Sequence, residues 1–453
     1  MPLSVRWFRN VISLVGVVLT TLSAVLFLIV FLADLFGLHT NPYSGIVFFL
    51  LLPGLFLFGL ALIPLGAWIA RRRHHESMTP HWPRFDLNDP LQRRGAVVVF
   101  ALSMANVVIV SLAAYRGIEY MDSVQFCGQV CHTVMKPEFS AYQDGAHSRV
   151  TCVQCHIGSG ASWFAKSKIS GTRQILAVTF HTYSMPIPSP VENLRPARDT
   201  CEQCHWPEKF HGDMVRKVYE YGEDEKNTES VTTLQVHVGG GSQRLGIAQG
   251  IHWHMNVANE VEYIATDDKR QVIPWVRVKD RFGNVREYTV DGVKPDDLKK
   301  GERRRMDCMD CHNRPAHPMM MTPERAVNER IASGEIPRAL PFVRREAVKA
   351  LKASYPTQDA AEQGIARVLR EFYRTQYNDS YMKSRQDVEK AVQGTIAVYR
   401  SNVFPEMNVS FGTYPNNIGH MDSPGCFRCH DDSHKTADGK KIAQECDTCH
   451  AIQ

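Results

Sequence analysis

A chain of 453 residues is long enough for two or three domains, so no single core need account for it. Its formal charge of +5 is mild, and its Lys and Arg residues cluster by membrane side rather than along one face, which argues against nucleic-acid binding. The twelve cysteines fall into six close pairs, each followed at once by histidine, and none is left over for another purpose.

Three apolar stretches precede the first cysteine and are long enough to cross a bilayer: about Val11 to Phe36, Ser44 to Ala70, and Gly95 to Tyr115. Arg6 and Arg9 would also suit a cleaved secretory signal, but the apolar run after them is too long and no small-residue cleavage site ends it. The loop between the second and third stretches carries Arg71, Arg72, Arg73, Arg84, Arg93 and Arg94, whereas Gly37 to Tyr43 holds neither Lys nor Arg. The positive-inside rule then puts the N-terminus in the cytoplasm and everything after Tyr115 outside. Residues 1–117 are thus expected to be a membrane anchor with three transmembrane helices.

Residues 118–212 bring three cysteine pairs in quick succession: Cys127-Gly-Gln-Val-Cys131-His132, Cys152-x-x-Cys155-His156 and Cys201-x-x-Cys204-His205. Farther on come Cys308-x-x-Cys311-His312, Cys426-x-x-Cys429-His430 and Cys446-x-x-Cys449-His450. Two thiols one short turn apart reach the two vinyl groups of one porphyrin, and the next side chain is carried under the iron as a neutral imidazole ligand. Disulfides, thioredoxin-like pairs and zinc sites do not require a histidine directly after the second cysteine every time. Roughly 0.01 matches to Cys-x-x-Cys-His are expected by chance in such a chain, so five are not accidental. The Cys127/Cys131 pair has one extra residue between its thiols; a disulfide or metal pair competes with haem there. Covalent haem attachment takes place outside the bacterial cytoplasmic membrane, the side on which the arginine count independently puts these motifs. So many sites in 118–212 leave little room for an ordinary core, and the macrocycles must supply much of the buried apolar surface.

From 213 to 306 the pattern turns to short alternating runs such as Val231 to Val238, Val261 to Ile264 and Val276 to Val278, with Phe282-Gly283-Asn284 as a turn before Val285 to Val290. These predict a small antiparallel β insert. In 307–453, Thr322 is a fair N-cap with Pro323 in the first turn and Gly334 as a stop. Further helices are expected over Phe342 to Ser354, Ala360 to Thr375 and Arg385 to Arg400, before two motifs about twenty residues apart close the chain. The fold class read from this order is a membrane-anchored multihaem cytochrome: three transmembrane helices, then a mostly α and irregular haem domain with a small antiparallel β insert.

The region from Phe126 to Gln174 resembles the NapC/NirT/NrfH family of membrane-anchored, quinol-oxidising cytochromes. The resemblance rests on Cys131-His132, Met135-Lys136-Pro137-Glu138, Tyr142, His147 before the second motif, and Lys166 and Lys168 after it. It covers about fifty residues closely and about a hundred loosely. That family usually has one membrane helix where this chain has three, and its exported part is shorter; the extended layout is similar to the ImcH-type inner-membrane cytochromes of bacteria that respire extracellular acceptors.

A low-spin haem needs a second axial ligand. Outside the motifs the exported histidines are His147, His181, His211, His237, His252, His254, His317, His420 and His434. His317 and His420 lie close to motifs, followed as candidates by His181, His211 and His434; His252 and His254 would share one face of a strand, so at most one of them is a ligand. The resemblance implies His147 as a distal ligand. It also implies an axial methionine for the first haem, where Met135 stands slightly farther from the motif than in the family and where a Met buried beside a haem edge is the bland reading. Quinol oxidation needs proton acceptors, for which Lys168 and then Lys166 match the family's lysine; Arg173 and Gln174 replace its aspartate, leaving Asp144 or Glu138 as the acid. Six haem c groups, a menaquinol substrate, the bilayer and periplasmic c-type cytochromes or a periplasmic reductase are therefore expected. A relay subunit with no quinol site of its own, a donor to a nitrate- or nitrite-type reductase, and a terminal reductase with one open haem are the competing readings.

Overall fold

The computed structural model of the protein describes residues 10–35, 51–73, 86–130, 132–158, 161–191, 195–239, 250–255, 259–280 and 282–452. The chain forms two compact units, Met1–His132 and Thr133–Gln453.

In the first unit, α1 (Val11–Leu35), α2 (Leu52–Arg73) and α3 (Pro90–Met121) are each long and apolar enough to cross a membrane. Phe36, Gly37 to Tyr43, Ser44 to Leu50 and Arg84 lie outside the described residues. Helix α3 starts five residues before the expected Gly95, because Asp89 accepts the Leu91 amide at 2.9 Å and Pro90 occupies the first position. Helices α1 and α2 meet backbone to backbone. A Cβ on Gly59 would stand 2.9 Å from the Gly16 carbonyl oxygen and one on Gly66 2.6 Å from Ser13 Oγ, so only glycine permits this approach. Ser13 Oγ donates to the Ile63 carbonyl at 2.8 Å and bonds the pair directly. Helix α3 is far less engaged, with only 6% of its apolar window buried.

The second unit continues through α4 (His132–Asp144) and α5 (Ala161–Thr179), with short turns at the motifs. Among the described residues of 133–212 few apolar side chains are buried, Val134, Pro137, Ala141, Tyr142 and Ala197. Strands β1 (Asp213–Tyr221), β2 (Glu229–His237), β3 (Glu260–Ala265), β4 (Trp275–Lys279), β5 (Val285–Val290) and β6 (Glu302–Arg305) follow. Their pairing is antiparallel, with Val218 opposite Thr232 and Tyr263 opposite Val276. The sheets do not close within the insert. Strand β7 (His434–Lys435) completes the order β6-β3-β4-β5-β7, and β8 (His450–Ile452) completes β1-β2-β8.

The helical part is α6 (Pro323–Ala332), α7 (Val343–Lys352), α8 (Gln358–Gln376) and α9 (Arg385–Asn402), each within a few residues of its sequence expectation. One apolar core joins them through Val327, Val343, Ile365, Leu369, Val388 and Val392, all fully buried. The β1–β2 hairpin is keyed into this core: Tyr221 packs there, and buried Asn227 donates through Nδ2 to the Leu340 carbonyl at 2.8 Å. Thr322 caps α6 through the Arg325 amide at 3.2 Å, and Gly334 follows the helix with φ +79°. Thr322→Ala is expected to cost about 1 kcal/mol, read as a lower thermal midpoint with an unchanged haem spectrum.

Candidate metal centres

Each described motif folds as a single short turn that brings its cysteines and histidine together. The amides of His205, His312 and His430 return to the carbonyls of Cys201, Cys308 and Cys426 at 2.8, 2.8 and 3.1 Å. Local capping sets the start of two turns: Gln154 Oε1 accepts the Thr151 amide at 3.0 Å, and Asp307 Oδ1 accepts the Met309 amide at 2.8 Å. Cys201, Cys204, Cys308, Cys311, Cys426, Cys429, Cys446 and Cys449 form no disulfide.

Every one of these five motif histidines faces a second histidine from elsewhere in the chain. Ring centres are 6.2 Å apart for His156 and His317, 6.1 Å for His205 and His147, and 6.3 Å for His312 and His252. They are 5.8 Å apart for His430 and His254 and 6.0 Å for His450 and His420. An imidazole nitrogen binds a first-row metal at about 2.0 Å and its ring centre lies about 1 Å behind, so two imidazoles on opposite sides of one iron hold their centres roughly 6 Å apart. The spacing fits a bis-imidazole iron in all five places.

Hydrogen bonds aim the rings. Nδ1 of His147, His317, His252, His254 and His430 meets the carbonyls of Pro315, Glu138, Val238, Ile251 and Ala443 at 2.9 to 3.1 Å. Donation from Nδ1 leaves the Nε2 lone pair for a metal. Burial also holds His156, His252, His254 and His312 below the ordinary histidine pKa, with the neighbouring His317 adding to the effect at His156 and His252 at His312. The neutral form they favour is the ligating one.

His252 and His254 are not on a strand. They share a 3₁₀ turn, Ile251–Met255, and each faces a different motif histidine, so the strand on which the single-ligand expectation rested is corrected. His434 is buried with Nδ1 on Asp431 at 2.8 Å and Nε2 on the Ile273 carbonyl at 2.7 Å, leaving neither nitrogen for a metal. His211 bonds the Lys209 carbonyl, His237 pairs with Asp213, and His181 lies beside Tyr183 on left-handed backbone; no motif histidine faces them among the described residues. Cys131 and the side chain of His132 lie outside the described residues; Met135 is half-buried on α4.

Of the expected proton acceptors, Glu138 is paired with Arg314 at 2.8 Å beside His317, and Asp144 accepts from Ser401 at 2.8 Å. Lys166 lies over the Trp163 ring at 4.6 Å and Lys168 is half-buried, both on α5. The same helix region exposes Ile169, Ile175, Leu176 and Phe180, the mix of basic and apolar side chains suited to a membrane interface.

The first unit holds a cavity of about 350 Å³ at one end of its three helices. Phe27, Leu52, Phe56, Ala113 and Met121 line it, and the one hydroxyl there, on Ser23, is already given to the Leu19 carbonyl at 2.6 Å. Such a wall suits an apolar ring rather than an ion. Half-buried Asp122 follows Met121 directly, where α3 ends and five residues before Cys127. No pattern in the sequence singles out Asp122; only its place next to the cavity-lining Met121 does.

Residues 90–187, from the start of α3 past the second motif, match the N-terminal region of the NapC/NirT cytochrome c family. The whole chain is similar to the cytochrome c-type protein ImcH of Geobacter sulfurreducens, at 42% identity over 449 residues, 98% of this chain and 88% of that protein. No solved structure matches.

Proposed function

The chain belongs to the family of membrane cytochromes c that includes ImcH, and from that premise we propose that it oxidises menaquinol and delivers the electrons to periplasmic carriers in anaerobic or extracellular respiration. The observation that carries the reading is the apolar cavity at the end of the three spans, one residue from Asp122 and close in sequence to the first cysteine pair.

Haem c, when bound, supplies one-electron transfer. Cys152 with Cys155, Cys201 with Cys204, Cys308 with Cys311, Cys426 with Cys429, and Cys446 with Cys449 would hold five groups covalently. The facing pairs His156/His317, His205/His147, His312/His252, His430/His254 and His450/His420 would hold the iron of each. Cys127, Cys131, His132 and Met135 would hold a sixth. A terminal reductase requires an iron open on one side, and each described motif histidine that has a described ring partner is faced across the site. This favours conduction over reduction of a small substrate.

The cavity walls bind and orient the quinol ring and exclude water from it. Oxidation releases two protons, and this reading assigns one of them to Asp122, next in sequence to the lining residue Met121. Glu138, paired with Arg314, and Asp144, which accepts from Ser401, are the further acids of this reading. Lys168 and then Lys166, on an interface-like helix of the second unit, are the acceptors that the family resemblance implies. The N-terminus is cytoplasmic, the anchor lies in the inner membrane, and the haem-bearing unit is periplasmic.

Purified protein in lipid nanodiscs should be reduced by a menaquinol analogue to the same end point as by dithionite. Failure of that reduction with intact haems would mean that a partner subunit oxidises the quinol and this chain only relays.

A further inference from the structure

The five paired-imidazole sites of the second unit are joined in chain order by contacts between their elements and rings. The short helices Ala197–Cys201 and Cys308–Cys311 pack together. Ring contacts and shared turns make the remaining links. His147 bonds the carbonyl of Pro315, two residues before His317; Phe210, just past the Cys201 motif, packs on His252 with ring centres 4.6 Å apart. His252 and His254 share one turn, and Phe427, inside the Cys426 motif, stacks on His420 at 4.1 Å. The His450/His420 site therefore ends the line.

That end carries exposed apolar side chains: Ile418, Met421 and Ile452, the last on β8, which is an edge strand of its sheet. The two segments that build the site, 418–424 and 444–452, carry three charged residues, Asp422, Glu445 and Asp447, all acidic and all exposed, in a chain whose overall charge is positive. Exposed apolar side chains with acidic ones beside them in the same segments are the form of a transient redox contact, in which charge steers the encounter and little area is buried.

We propose that the His420/His450 end is the docking surface for a soluble electron-carrier protein whose cofactor edge is ringed by lysines, with Ile418, Met421 and Ile452 meeting that edge and Asp422, Glu445 and Asp447 meeting the lysines. This rests on the reading of the motifs as haem sites, and not on quinol oxidation.

The test uses full-length protein reduced by dithionite and mixed in a stopped-flow instrument with a lysine-rich mitochondrial-type cytochrome c. The triple variant Asp422→Lys, Glu445→Lys, Asp447→Lys is expected to lower the second-order rate constant at least about tenfold at low ionic strength, with the gap closing as salt is added. Haem content and menaquinol-driven reduction should match the parent. A control reversal at Asp296 and Asp297, exposed on a separate short helix, should change the rate by less than about twofold. The proposal is overturned if the triple variant reacts as fast as the parent, or if the control slows the reaction equally. Because dithionite supplies the electrons, a missing quinol site would leave this result standing.

Discussion

Ala113→Phe is expected to slow reduction by a menaquinol analogue on the order of 100-fold, while the dithionite-reduced spectrum and haem content stay as in the parent. Ala113 is buried between Phe27 and Leu52 at the wall of the membrane cavity, so a phenyl ring there has nowhere to go but into the space. Overfilling a packed core costs about 1 to 3 kcal/mol, but at this position the added volume takes up existing room. The effect should therefore fall on the quinol step and leave the thermal midpoint nearly unchanged. If the variant oxidised the quinol analogue at the parental rate, the cavity would not be the site.

His252→Ala and His254→Ala should each convert a different haem from low-spin to high-spin, and the double variant should convert two. The contrast is sharp because the two side chains are only two residues apart and would be expected to share a fate. Their rings face His312 and His430 separately, at 6.3 and 5.8 Å. Loss of even an outer-shell partner costs a metal site about 10- to 100-fold in affinity or activity, so loss of a direct ligand should slow passage of electrons to a soluble acceptor by at least that much. Electron paramagnetic resonance of the oxidised protein checks the count. A high-spin signal from only one of the two single variants would return the pair to a single ligand.

The parts of this protein that the sequence makes legible are those written in local spacing. The cysteine pairs, the three spans, and Thr322 and Gly334 at the ends of α6 all depend on neighbours within a few residues. The histidines that face the motifs do not. His147 faces His205 and His317 faces His156, so in sequence the two pairings cross, and no spacing rule supplies a crossing. Nor does composition reveal that β8 would leave the last motif to pair with β2, with Ile452 opposite Leu234. His252 and His254 misled because an alternation of two is the signature of a strand, and a 3₁₀ turn between two metal sites imitates it over so short a run. His434 offered the same letter as a ligand, and only its two occupied nitrogens distinguish it.

The contacts of Gly16, Gly59 and Gly66 carry a consequence for traffic from the lipid. Helices that touch through backbone atoms cannot slide or spread without losing that fit, so α1 and α2 act as a fixed jamb. On the proposed function, widening to admit a bulky isoprenoid tail would fall to α3, the door on the other side, which has little of its length buried among the described residues. The hinge end of that door runs on through Asp122 toward Cys127. A guest arriving between the helices would thus press on the one segment that leads to the first pair of thiols.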